Sequence, residues 1–373
     1  MDNSVQLKPN DMFNTYLLFF VIHSAQIGVG VQGFQRIVYQ DAKHDAWISV
    51  ILAGVATHIV AFCMIKTLEV YGSNDLYGIQ QDIYGKWIGN FLNAIYIFYC
   101  SIAFFSVLRN YIEVIQAWLF PGISTWFLSA TLLLITIYAF TGGLRVIVGI
   151  SFFSVVLALW IFPMLIFPMK FATLDSLYPI LEANVRSLLK GAYSMTFTIL
   201  GFEIINVIYP FIKDKKKTSK YTHLALLATT FIYLSVMMVS IGYYSEGKLL
   251  RTVWATLTLF SFISFPFMER FEFVAVCFWM LIILPNLCLY LWAAYRGVIR
   301  LVNISGTKFV WIFSFIIFLA TLIVGSRTQI NMVNNQVAKV GFYIVFVYPI
   351  LLYMLTILKK KFTAKKEQTN ENT

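Results

Sequence analysis

The chain has 373 residues, of which 60% are apolar or aromatic and only 12% are charged. Soluble domains carry about 45–50% apolar and about 25% charged residues, so a water-soluble globule is excluded, as are disordered and collagen-like chains. The composition is that of a polytopic helical membrane protein, and the net charge of +11 has to be explained in that setting before nucleic acid is considered.

The first apolar run starts at Met12 and continues to Phe34. Only Lys8 precedes it as a positive charge and no small-residue cleavage site follows, so it reads as a retained first span. Its sequence HSAQIGVGVQGFQR places Gly28, Gly30 and Gly33 within six residues. Glycine costs about 1 kcal/mol in a helix interior relative to alanine, so the cluster favours a local opening; close helix packing through small residues is the alternative. A second span covers roughly 46–66 and a third roughly 87–115, joined by a polar connection from Glu69 to Lys86. His23 and His58 lie inside spans 1 and 2 and read as hydrogen-bonded packing groups or as a pH-responsive pair. Arg109 and Glu113 read as an i,i+4 pair near the end of span 3, or as a gate.

Spans 4 and 5 cover roughly 124–141 and 144–168, and residues 178–189 have the pattern of an amphipathic surface helix. Span 6, roughly 189–211, reads TFTILGFEIINVIYPF, with Gly201, Glu203 and Asn206 followed by Pro210. Lys190 and Lys213 bracket it, so Glu203 lies near the middle of the bilayer, where a charged side chain costs about 2.5–3.5 kcal/mol. It reads as a functional group, or as a structural carboxyl capping a broken helix. Span 7 covers roughly 221–243. Residues 252–268 are apolar but rich in Thr, Ser and Phe, and read as a short interfacial or re-entrant helix. Span 8, roughly 272–297, carries Pro285 and Asn286, where the amide can satisfy a carbonyl that proline frees or can line a pocket. Glu269 and Glu272, around Arg270, read as anchors of its start or as a docking site on the outer side. Spans 9 and 10 cover roughly 308–325 and 338–358, and a basic tail, 359–373, ends the chain.

Ten spans with both ends in the cytoplasm best satisfy the positive-inside rule. The clusters 213-KDKKKTSK-220 and Lys359, Lys360, Lys361, Lys365, Lys366 then share the inner side, and these ten lysines nearly account for the net charge. The breaks fall in spans 1 and 6, the first spans of two five-span halves, about 12–170 and 180–358. Five is odd, so the second half enters from the opposite side, an inverted repeat whose interrupted helices point to a midplane site. Half-helix N-termini attract a carboxylate and C-termini an ammonium or a cation, so two broken helices can hold a zwitterion.

Cys63, Cys100, Cys277 and Cys288 lie in apolar runs and read as buried small hydrophobes. Trp47, Trp87, Trp126, Trp254 and Trp311 sit near span ends as interfacial aromatics. No zinc-binding, P-loop or nucleophilic-triad pattern is present, so an enzyme and a cofactor are not expected.

LGFE at 200–203, the lysine run after it and FPFMERFEFVAVCFW at 265–279 carry a resemblance to the B subunit of spore-germinant receptors, within the amino acid–polyamine–organocation transporter superfamily. That resemblance implies a LeuT-like fold with a pocket between spans 1, 3, 6 and 8. It would be lined by Gly28, Gly30, Tyr99, Ala103, Leu200, Gly201, Glu203, Asn206, Pro285 and Asn286. It also implies a small germinant (amino acid, sugar or nucleoside), A and C partner subunits, residence in the spore inner membrane, and no nucleic acid. Relatives often have a proline after the first glycines, whereas GVGVQGFQR brings in Gln32 and Gln35, which leaves the ligand chemistry of that wall open. A proton- or sodium-coupled amino-acid transporter shares the fold, and a scaffold without a ligand would be favoured by breaks that are packed shut.

Overall fold

The structure is a computed structural model that describes residues 11–266 and 269–371. Lys8, Phe267 and Met268 lie outside the described residues, as do the side chains of Lys365 and Lys366. Among the described residues the regular elements are helices, and an isolated bridge joins Phe13 to Ile212.

The first half contains α1 (Leu17–Gln26), α2 (Phe34–Ala42), α3 (Ala46–Tyr71), α4 (Leu76–Trp118), α5 (Thr125–Thr141), α6 (Gly143–Ala158) and the short α7 (Ile166–Met169). The second half opens with α8 (Val185–Ser194), α9 (Thr196–Ile199) and α10 (Ile205–Ile208), followed by α11 (Thr218–Tyr243), α12 (Glu246–Arg251) and α13 (Ala255–Phe260). It closes with α14 (Phe271–Leu301), α15 (Gly306–Ile323), α16 (Arg327–Gly341) and α17 (Tyr348–Glu371), the last two joined by a π-helical segment, Phe342–Val347. Among the described residues, seven helical stretches are long and apolar enough to cross a membrane, and Leu17–Gln26, Thr125–Thr141 and Phe202–Phe211 are shorter apolar helices.

Their outer faces are apolar. On α3, Val55, Ile59 and Phe62 are exposed at i, i+4 and i+7, and α15 exposes Ile312, Phe315, Ile316, Leu319 and Ile323. Water would not tolerate such stripes; lipid does. The polar groups turn inward, because backbone and side chains alike must find partners inside the bundle.

Several elements depart from expectation. The helix of the third span, α4, begins at Leu76, because the fully buried Asp75 caps it by accepting from Gly78 N–H at 3.1 Å. Gly85 (φ +80°) then breaks it, a conformation glycine adopts without a Cβ penalty. Residues 178–184 are not helical. Buried Asp45 accepts from the backbone N–H of Leu181 (2.9 Å) and Ala183 (2.8 Å), and Asn184 caps α8 through Ser187 N–H, so the helix starts at Val185. Among its described residues the segment 252–268 contains one six-residue helix, whose Leu257, Leu259 and Phe260 are buried. Arg109 and Glu113 do not pair as i,i+4 neighbours. Arg109 donates to the carbonyls of Val324 and Gly325, and Glu113 pairs with Arg327 across helices. Cys277 is exposed, while the other three cysteines are buried. His23 and His58 are likewise separate: His23 meets Thr229 at 2.9 Å and His58 stacks on His223. Glu272 pairs with Arg270 at 3.0 Å at the start of α14.

At the other end of the bundle Asp75 also meets Arg296 (3.4 Å) and Arg300 (3.1 Å) of α14. Removing one partner of a buried ion pair costs about 3–5 kcal/mol. Asp75→Ala is therefore expected to lower the unfolding midpoint in detergent, whereas Glu69→Ala, which breaks the exposed Lys66 pair, shifts it by less than about 1 kcal/mol. Equal effects would remove the Asp75 cluster from the supports of the fold.

Candidate functional site

The first break follows α1. Ile27 is extended, Gly28 is non-helical, Val29–Gln32 form one 3-10 turn, and α2 resumes after Gly33. Neighbours approach too closely for larger residues. A Cβ on Gly33 would lie 2.2 Å from the Val253 carbonyl oxygen, and one on Gly30 would lie 3.0 Å from Thr198 Cα. Four of the carbonyls released by the break are met by side chains. Asn286 Nδ2 donates to Ser24 O (2.7 Å) and Ile27 O (3.1 Å), Tyr233 Oη to Gln26 O (3.0 Å) and Trp279 Nε1 to Gly28 O (3.3 Å).

The second break follows α9. Leu200 is extended and Gly201 has φ +119°, a conformation closed to L side chains. A Cβ at Gly201 would lie 2.1 Å from the Ala25 carbonyl oxygen, so the two breaks cross there. Glu203 caps the restart. Its Oε2 accepts from Gly201 N–H at 2.7 Å, and its Oε1 accepts from Tyr99 Oη (2.7 Å) and Tyr290 Oη (3.1 Å). Tyr96 Oη donates to the Glu203 backbone oxygen at 3.3 Å. Two further bonds tie the breaks together: Gln26 Nε2 donates to Ile199 O (3.0 Å), and the hydroxyl of Tyr233 reaches Thr198 O (3.0 Å) as well as Gln26 O.

Gly28, Gly30, Ala103, Leu200 and Asn286 line a common gap beside this crossing, of only about 30 Å³. That is the volume of roughly one water molecule. Tyr99, Gly201 and Glu203 stand behind it as the capped break, Asn206 is buried in α10, and Pro285 is buried in α14 immediately before Asn286. Leu200 packs where Gly341 of α16 leaves room for it: a Cβ there would lie 2.8 Å from Leu200 Cδ1. A second cavity, of about 280 Å³, adjoins the gap across Gly30, Phe197 and Thr198. Its wall includes Gln32, Arg36, Trp254, Arg327 and Asn331. Among the described residues no three His, Cys, Asp or Glu side chains stand together as metal ligands.

Sequence reasoning missed Gln26, Tyr96, Tyr233, Trp279 and Tyr290. Tyr290 carried a signal, since it lies four residues after Asn286 on the same helix face, and Tyr96 precedes Tyr99 by three. Tyr233 sits in an ordinary apolar span and carried none.

Residues 13–330 match the family model described as "Spore germination protein". The chain is 34% identical over 346 residues to spore germination protein GerQB of Bacillus cereus, covering 93% of this chain and 96% of that one. It is 24% identical to spore germination protein YndE of Bacillus subtilis (95% and 98% covered) and 22% identical to spore germination protein A2 of the same organism (94% and 97%). Its backbone is similar to that of a manganese transporter of Eremococcus coleocola, with a TM-score of 0.60 over 94% of this chain and 82% of that one, at 11% identity. This likeness shows the fold, a LeuT-like transporter architecture.

The crossing is open to a direct test. Gly201→Ala adds both backbone strain and a clash with Ala25, whereas Gly72→Ala adds strain alone, since Gly72 (φ +58°) faces open space. Gly72→Ala is expected to cost about 1 kcal/mol, and Gly201→Ala more than about 4 kcal/mol or failure to insert. Similar unfolding midpoints for the two variants would mean that the breaks do not touch.

Proposed function

Starting from the fact that the chain belongs to the spore germination protein family, we propose that its two bolted breaks are the switch of a germinant receptor B subunit. The protein is an integral-membrane germination protein of the permease type. The finer reading places it in the spore inner membrane with both termini on the core side, beside A and C subunits. The halves 12–170 and 180–358 act as inverted repeats that shift against each other.

Closure of the crossing by the protein's own groups would by itself favour a scaffold without a ligand; the observation that carries the receptor reading is the cavity of about 280 Å³ that adjoins the closed crossing. The carbonyl end of α1 is filled by Asn286, Tyr233 and Trp279, and the Glu203 carboxyl by Tyr99, Tyr290 and Gly201. The gap at the crossing, about 30 Å³, is too small for an amino acid in this packing. A nutrient admitted between the halves has to exchange some of these bonds and separate Gly30 from Thr198. Binding energy then becomes a shift between two packings, which partner subunits read. The ligand acts only through its difference in affinity for the two states; moving a 1:99 equilibrium to 99:1 takes about a 10⁴-fold difference.

The transporter fold supports a second reading, an amino-acid transporter coupled to a proton or sodium ion. The helix-end carbonyls that would attract a cation are here bonded to neutral donors, which weighs toward the receptor. Uptake of radiolabelled amino acids by vesicles containing this chain alone would reverse that judgement.

Spores lacking this gene, challenged with single nutrients, are expected to lose the response to one nutrient or a small set while responding normally to the others. Glu203→Gln keeps the size of the side chain but replaces one acceptor with a donor. It is expected to reduce the response roughly tenfold or more, as for a lost charge-assisted bond, with membrane abundance retained on a blot. Full sensitivity in that variant would sink the role given to Glu203. A protease-cleavable tag after Thr373 should resist protease added outside; cleavage would overturn the even number of spans.

A further inference from the structure

We infer that the larger cavity is a first binding chamber for a small molecule carrying a carboxylate, with Gln32 and Arg36 as its recognition residues; this rests on the germinant-receptor reading and specifies its ligand class.

Three glutamines surround the first break, and two are engaged through Nε2 alone, with their Oε1 atoms unmet. Gln26 donates to Ile199 O, and Gln35 donates to Thr256 Oγ1 at 2.6 Å. Gln32 differs. It is completely buried, yet neither its Nε2 nor its Oε1 has a hydrogen-bond partner, and it lines the 280 Å³ chamber. A buried amide with both ends unmet is disfavoured, and native structures keep few of them. Arg36, four residues on, lines the same chamber, and its buried Nε is also unpartnered. The two groups sit on the turn and helix that follow the break, so whatever they bind is tied to the position of that segment.

The charge of the wall decides the class. Arg36, Arg327 and Lys339 line the chamber and no acidic residue does; the adjacent Glu113 is engaged by Arg327. Trp254 lies 5.1 Å from the Arg327 guanidinium and closes one side. Guanidinium groups match carboxylates in geometry and charge, and the primary amide of Gln32 offers both a donor and an acceptor to the rest of the ligand. The chamber lies just below the range of about 300–1,000 Å³ typical for drug-sized ligands, which suits an amino acid. Gly30 and Thr198 separate it from the crossing, so a ligand held there is one contact away from the switch.

The test uses the full-length chain in nanodiscs, with binding measured by calorimetry for the twenty L-amino acids, each beside its α-carboxamide, and for glucose and inosine. At least one amino acid is expected to bind, with its carboxamide tenfold or more weaker. Gln32→Leu and Arg36→Gln are each expected to weaken it roughly 10–100-fold, as for loss of a hydrogen bond to a charged group, with Arg36→Lys retaining part of the affinity. Gln32→Leu should also raise the unfolding midpoint, because it removes an unmet amide; a purely structural glutamine would lower it. Carboxamides binding as tightly as acids, or unchanged affinity in both variants, overturns the chamber. Glucose or inosine binding in place of amino acids overturns the carboxylate class and leaves the receptor reading standing. Spores with this chain in their sole receptor that respond to no compound overturn both.

Discussion

The structure depends on one close contact, that of the Gly201 backbone against the carbonyl of Ala25. Two helices are interrupted and cross where Gly201 has no room for a side chain. In lipid the freed backbone groups have no water to turn to, so the crossing is viable only if the protein supplies a partner for each of them. Several of them are met by side chains from α4, α11 and α14, which are thereby drawn around the break. The packing of the bundle and the satisfaction of its broken helices are the same problem solved once.

Four of the partners are tyrosine hydroxyls, those of Tyr96, Tyr99, Tyr233 and Tyr290. Tyr99, Tyr233 and Tyr290 come from three different helices, and each holds the far end of a large apolar ring whose body is buried. Such a group packs like a hydrophobe and bonds like a cap. The Tyr233 hydroxyl lies 3.0 Å from a carbonyl of each break, Gln26 O and Thr198 O, and shares its one proton between them, so a shift of the α1 segment relative to α9 breaks that sharing. A network of this kind favours two discrete arrangements over a continuum, as a receptor needs. The polar chamber beside it stands on the opposite footing, with both ends of the Gln32 amide unmet where Gln26 and Gln35 each donate through Nε2.

Much of this was legible in the sequence. The glycines at 28–33, the LGFE turn and the placement of Glu203 between lysines located both breaks, and the helices fall where apolar runs end. Other features were not. Residues 178–184 carry a helical pattern, but Asp45, far away in the chain, captures two of their backbone N–H groups. Arg109 and Glu113 have ideal i,i+4 spacing, yet interhelical partners bind each of them more closely to the fold. Local spacing lost in both cases to a long-range hydrogen bond, which no window along the chain can see.

By itself, the sequence determined the solvent of this protein, its broken first and sixth helices and its intramembrane carboxyl, because composition, glycine clusters and hydrophobic run length act locally. Only the tertiary structure decided what those features face. It turned Glu203 onto two tyrosines and its own turn, spent Asn286 on the end of α1, shrank the expected midplane pocket to a gap, and opened a cationic chamber beside it. Which polar group meets which is settled by helices packing side by side, and in a medium without water that meeting is compulsory rather than optional.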